Sequence, residues 1–201
     1  MEIRTLAVDL TEAGAIDRVR DAAGKIDVLV NNAGTIPSGS LFDVDEQKWR
    51  AGWELKVFGY INLTRALYPI MRSNGEGVII NNIGIGGEIF DPEYVAGASG
   101  NASLMAFTRA MGAKSLADGI RVVGVNPGPV DTARIYSMLK KRAAKMFGDQ
   151  SKWQELAKAY PLGRPAHVAE VADLMVFLAS DRSSYISGTI FTVDGGIASS
   201  H

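Results

Sequence analysis

The chain has no cysteine and only two histidines, His167 and the terminal His201, among its 201 residues. Without thiols there is no disulfide, no thiolate metal site and no cysteine nucleophile, a composition that suits a reducing cytoplasm. Two histidines so placed do not make a metal centre, and none is expected. Neither sign of charge dominates. The 21 Lys and Arg against 22 Asp and Glu give a net charge of −1, which argues against a nucleic-acid partner. The longest late apolar run, 174–179, falls far short of the roughly 20 residues of a membrane span, so no membrane association is expected. Met1-Glu-Ile-Arg lacks the apolar segment of a signal peptide. No Gly-x-Ser-x-Gly elbow occurs, and Ser99 has no histidine near it in sequence, which leaves the hydrolase reading little weight. Also missing is any Gly-x-Gly-x-x-Gly, the turn that brings backbone amides and a helix N-terminus to a pyrophosphate.

What is present is a chain that folds. A hydrophobic content of 47% in 201 residues suits one domain, 1–201, that buries most of its surface. Strand patterns at 3–8, 26–30, 78–83, 121–125 and 189–193 alternate with helical ones at 11–23, 45–71, 97–117 and 166–179. Such alternation predicts a Rossmann-like α/β fold, a parallel sheet with helices on its faces. Thr11 reads as the cap of the first helix and Gly24 as its stop. The charged stretch 133–160, broken by Gly148, reads as a helical excursion.

Four motifs in order carry a resemblance. Asn31-Asn32-Ala33-Gly34 follows the second strand pattern, and Gly97-Ala-Ser-Gly-Asn101-Ala-Ser103 opens a helix. Asn126-Pro127-Gly128-Pro129-Val130-Asp131-Thr132 follows a later strand, and Asp194-Gly195-Gly196 lies near the end. Over residues 6–196 the chain resembles the short-chain dehydrogenase/reductase family. The resemblance implies NAD or NADP as cofactor, a small-molecule substrate, and a homodimer or homotetramer formed through helices 45–71 and 97–117. Against that pattern the chain begins near the third strand, an N-terminally truncated version of the fold lacking the glycine-rich segment. The strand at 5–8 is then expected to slide in beside 26–30, because an open sheet edge leaves amides unpaired. The other courses are that it hangs loose or pairs with a second copy.

The resemblance also implies a catalytic Tyr, Lys, Ser and Asn. Their positions fall on Gly97, Asn101, Gly84 and Lys56, so all four depart. Glycines have no side chain to donate a proton or orient a carbonyl. Two replacements suggest themselves as catalytic residues. Lys56 supplies an ammonium, or else snorkels to solvent from its helix. Tyr94, one turn before Gly97, presents a phenol, or else packs on a loop. On the cofactor side the resemblance implies Asp9 for the adenine amino group, and Asn31, Ala33 and Gly34 for adenosine. It also implies Asn101 for a ribose hydroxyl, Pro127 and Gly128 for the turn, and Thr132 for the nicotinamide amide. Each has a bland counterpart: Asp9 flanks a helix, Asn31 bridges strands, Asn101 is a surface amide, Thr132 is an N-cap. The basic cluster Lys140, Lys141, Arg142 and Lys145 favours an anionic substrate or is a solvated helix face. The functional expectation is NAD(P)-linked alcohol or carbonyl chemistry through non-standard residues. The alternative is a catalytically inactive family member acting as a dimerising or ligand-binding module.

Overall fold

The computed structural model describes residues 3–200. Four parallel strands form one sheet, in the order β1 (Val28–Asn31), β2 (Gly77–Asn82), β3 (Ile120–Pro127) and β4 (Ile190–Val193). Val30 pairs with Ile80, Ile80 with Val123, and Val125 with Phe191. The sheet is parallel, as the sequence patterns predict. Val78, Ile79 and Ile80 are buried, as are Val122, Val123 and Val125, which is the continuous apolar run of strands covered on both faces.

The helices follow the 3.6-residue pattern, with informative differences at their ends. α1 (Ala15–Ala23) starts three residues later than Thr11 as its cap suggests, after Gly14 in the left-handed region at φ 76°. Thr11 is used elsewhere: its N–H and hydroxyl both donate to the Asp9 carboxylate, at 2.9 and 2.7 Å, which bends the chain. Asp45 caps α2 (Glu46–Trp53) by accepting from the Lys48 N–H at 2.8 Å. A π-helical turn, Glu54–Phe58, joins α2 to α3 (Gly59–Asn74). α4 (Val95–Gly112) is the small-residue helix. The charged stretch forms α5 (Ala133–Phe147) and the short α6 (Trp153–Ala157), separated at Gly148. α7 (Val168–Ala179) completes the set.

Two apolar layers hold the sheet. On one face Leu29, Ile79 and Val122 pack with Leu63, Leu67 and Met71 of α3, and α1 leans on that cluster through Ile16 and Val19. On the other face Val78, Ile80, Val123 and Val125 pack under Val171 and Leu178 of α7. Each such side chain contributes about 1.5–3 kcal/mol on burial. This second layer stops short of β1, where Val28 and Val30 remain 36% and 44% exposed.

The N-terminal expectation is corrected. Residues 3–9 form no strand, and β1 pairs with β2 alone among the described residues. The turn from Asp9 through Glu12 runs straight into α1 and commits Leu10 to the cluster beneath it. Ile3 and Leu6 stay 75% and 49% exposed. Among the described residues the segment adds no strand beside β1.

Candidate functional site

The carboxyl ends of β1, β2 and β3 carry asparagines, joined in chains. Asn31 Nδ2 donates to Asn81 Oδ1 at 2.8 Å and to Thr64 at 3.2 Å, and Asn81 Nδ2 donates to Thr108 at 2.9 Å. Asn82 Nδ2 donates to Asn32 Oδ1 at 2.6 Å. The asparagines thus bridge neighbouring strands, as the bland reading of Asn31 holds. Three buried amide oxygens, Asn31 Oδ1, Asn82 Oδ1 and Asn126 Oδ1, have no partner among the described residues. Unpaired acceptors are costly to bury, so this end of the sheet suits a polar ligand that brings donors.

Lys56 lies in the π turn between α2 and α3. A π turn places its residues out of step with the α-helical faces around it, and Lys56 points inward, not to solvent. Its ammonium donates to Asn101 Oδ1 at 2.9 Å and to the Ile83 carbonyl. The stem crosses Gly34 so closely that a Cβ there would stand 2.7 Å from Lys56 Cγ. Glycine at 34 therefore admits Lys56. Burial, helped by the positive charge of Arg134, lowers the Lys56 pKa to about 8.

Asn101 is buried, which removes its reading as a surface amide; its Nδ2 reaches the Gly84 carbonyl at 3.4 Å. Tyr94 is the residue just before α4, and its ring lies over Gly97. A Cβ on Gly97 would fall within the volume of that ring, and one on Gly86 would stand 3.1 Å from it. The Tyr94 phenol thus occupies the space that a side chain at 97 would take. Burial raises its pKa, and Arg134 opposes the rise through its charge and a hydrogen bond.

Arg134, in the first turn of α5, closes the group. It donates to the Thr35 hydroxyl at 2.8 Å and the Ile36 carbonyl at 3.0 Å. Thr35 and Ile36 directly follow Gly34, so one loop touches both cations. No signal for Arg134 was used in reading the sequence, although one exists. A cation in the first turn of a helix opposes the macrodipole and needs another reason to be there. Glu88 was also missed; its carboxylate accepts from Asn126 and Thr192, both at 3.0 Å.

The remaining positions lie apart from this group or serve the backbone. Asp9 follows the irregular segment 3–8, not a strand, and is exposed, its carboxylate taken by Thr11. Ala33 is exposed in the loop after β1. Pro127 ends β3, and Gly128 donates its N–H to the Val193 carbonyl at 2.9 Å. A Cβ on Gly128 would stand 2.9 Å from Asp194 Cβ, so the turn after β3 packs on the Asp-Gly-Gly segment. Thr132 stands at the N-cap of α5 without a side-chain cap bond; its hydroxyl reaches the Val130 carbonyl at 3.3 Å. Lys140, Lys141 and Arg142 are exposed, and Lys145 pairs with Glu93 at 3.0 Å, so the basic cluster is a solvated face.

The family model described as Enoyl-(Acyl carrier protein) reductase matches residues 4–198. The chain belongs to the short-chain dehydrogenase/reductase family. A 2-keto-3-deoxy-L-fuconate dehydrogenase of Xanthomonas campestris pv. campestris is 34% identical over 197 residues, covering 96% of this chain and 64% of that protein. Oxidoreductase UcpA of Escherichia coli O157:H7 is 36% identical over 185 residues, covering 92% of this chain and 70% of that protein. Among solved structures, L-sorbose reductase from Gluconobacter frateurii, complexed with NADPH and L-sorbose, superposes with a TM-score of 0.85. It is 33% identical and covers 95% of this chain and 75% of its own. The chain therefore spans about two thirds to three quarters of the length of these short-chain dehydrogenase/reductase relatives.

A nicotinamide dinucleotide fits this end of the sheet in part. What this end of the sheet offers such a ligand is the orphaned amide oxygens of Asn31, Asn82 and Asn126 and the Pro127–Gly128 turn. The described residues contain no glycine-rich turn for the pyrophosphate, and Gly34 offers no open cradle because the Lys56 stem fills it. Among the described residues no group of His, Cys, Asp and Glu could hold a metal ion, and no helix is long and apolar enough to cross a membrane.

Proposed function

We propose that this chain performs NAD(P)-linked alcohol or carbonyl oxidoreduction, with Tyr94 and Lys56 in place of the family's missing groups. The reading rests chiefly on one observation: the Tyr94 ring fills the side-chain volume of Gly97 while Lys56 meets Asn101. The nicotinamide, when bound, supplies or accepts the hydride. Tyr94 gives its proton to the substrate oxygen during reduction and regains it from solvent. Its raised pKa keeps the phenol protonated at neutral pH, and an alkoxide is basic enough to take that proton. Lys56 stabilises the negative charge that develops on the same oxygen. The cytoplasmic, homo-oligomeric small-molecule enzyme drawn from the sequence is part of this proposal.

The test is turnover of NADH and NADPH with a panel of aldehydes, ketones and oxo acids. Tyr94→Phe should lower kcat by about a hundredfold, the usual scale for a positioned acid, with the fold intact by circular dichroism. Unchanged kcat would mean that the phenol only packs.

A second reading, a dimerising module without catalysis, draws on the apolar groove of about 750 Å³ along α2, lined by Leu41, Val44, Trp49, Trp53 and Phe58. Absence of nicotinamide-linked turnover across the panel would favour it.

Cofactor affinity is a separate expectation. With no pyrophosphate cradle among the described residues, NADH and NADPH should bind the 201-residue chain weakly, in the high micromolar range or above. Calorimetry checks this, and a sub-micromolar Kd would mean that another element has taken over the cradle.

A further inference from the structure

Two cations in this site lack an anionic partner. Lys56 spends its hydrogen bonds on the Asn101 amide and the Ile83 carbonyl, both neutral. Arg134 likewise spends its bonds on neutral groups, the Thr35 hydroxyl, the Ile36 carbonyl and the Tyr94 phenol, which leaves two of its five N–H donors. Among the described residues, neither forms an ion pair with a carboxylate. The carboxylates of Glu88, Glu93, Asp43 and Asp131 bond other groups. Glu88 holds Asn126 and Thr192, Glu93 holds Lys145, Asp43 holds Ser40, and Asp131 holds Tyr136.

The two cations belong to one ring of contacts. Gly34 lies on the Lys56 stem, and the next two residues hold Arg134. Asn101 joins Lys56 to the glycines at 84 and 86, and Gly86 abuts the Tyr94 ring. A guanidinium with donors to spare matches a planar carboxylate through a fork of parallel hydrogen bonds. The ammonium is a compact point charge, better placed to face a single oxygen. The division of labour follows from these shapes.

We infer that the site takes a small oxo- or hydroxy-monocarboxylate, its carboxylate received by Arg134 and its reactive oxygen turned to Lys56 and Tyr94. The inference deepens the oxidoreductase reading and rests on it for the role of the reactive oxygen. Arg134 is then the residue that selects acids over their neutral analogues. Esters of the same skeleton keep the carbonyl and lose the charge, so they separate the two ideas.

The probes are acetoacetate and 2-oxobutyrate with their methyl esters, titrated into the full chain without cofactor and followed by protein NMR shifts. The acids should bind about tenfold or more tightly than the esters, the scale of a charge-assisted fork. Arg134→Gln should erase that preference, Arg134→Lys should keep part of it, and Lys141→Gln on the solvated face should leave it whole. Equal binding of acid and ester by the parent chain would overturn the inference, as would no saturable shift with either acid. A loss in Lys141→Gln matching that in Arg134→Gln would also overturn it, because general charge would then explain the effect. If Arg134→Gln does not fold, the parent preference and the Arg134→Lys variant still decide. Acid binding without turnover upholds the anion site and counts against the catalytic proposal. Turnover of esters and acids alike does the reverse.

Discussion

Replacing Lys56 with Met is expected to lower turnover by about a hundredfold or more while the protein stays folded. A well-placed donor contributes roughly 3 kcal/mol to a developing oxyanion, which is about that factor in rate. Met keeps most of the stem that lies on Gly34 and removes the ammonium that meets Asn101 and the Ile83 carbonyl. Two effects on stability oppose each other. The variant escapes the cost of burying a charge, and it leaves two acceptors without their donor. Stability should therefore change little, within about 2 kcal/mol in a urea titration. Full activity in this variant would end the idea of a relocated charge.

The same lysine sets a pH signature. Its pKa falls from 10.5 to about 8 in the folded chain. Steps that need the ammonium should run below pH 8 and fade as pH rises through it. Stability moves the other way. Between about pH 8 and 10.5 the unfolded chain holds a proton that the folded chain has released, so the Lys56 contribution to stability rises with pH in that window. Lys56→Met removes both trends. A rate profile flat through pH 8 in the parent would show that the ammonium is not used.

The sheet was legible because its strands are short apolar runs separated by helical patterns, and residues such as Ile79 and Val122 have only one place to go. The N-terminal segment was misread. A sequence pattern shows that Thr5 to Val8 can be extended, but not whether a neighbour offers it an apolar face. Asp9 and Thr11 settle the matter locally by closing a turn. Lys56 is legible as a displaced charge, since the resemblance puts the Asn position there, but its inward direction depends on the π turn, which no apolar periodicity announces. Arg134 is marked only by its charge at the start of α5. Its partners Thr35 and Ile36 are nearly a hundred residues away and uncharged, so no pairing pattern marks it.

Gly97→Ala tests the most unusual packing in the site, and its expected sign runs against the usual rule. Within a helix, exchanging glycine for alanine ordinarily stabilises by about 0.5–1 kcal/mol. Position 97 lies in the first turn of α4, but an added Cβ would occupy the volume of the Tyr94 ring. The ring must swing out, giving up its burial over Gly97 and Gly86, and overpacking of this kind costs about 1–3 kcal/mol. The steric term is the larger, so the variant should be less stable by about 1–2 kcal/mol in a urea titration. It should also lose turnover at least as fully as Tyr94→Phe, because the phenol leaves the site. The decisive comparison removes the ring first. In a Tyr94→Ala background the ring atoms that crowd the added methyl are gone, and Gly97→Ala should become stabilising, a reversal that a double-mutant cycle reads as coupling between the two positions. If Gly97→Ala stabilises the parent as it does the Tyr94→Ala chain, the ring does not fill that volume, and the proton donor assigned to Tyr94 loses its place.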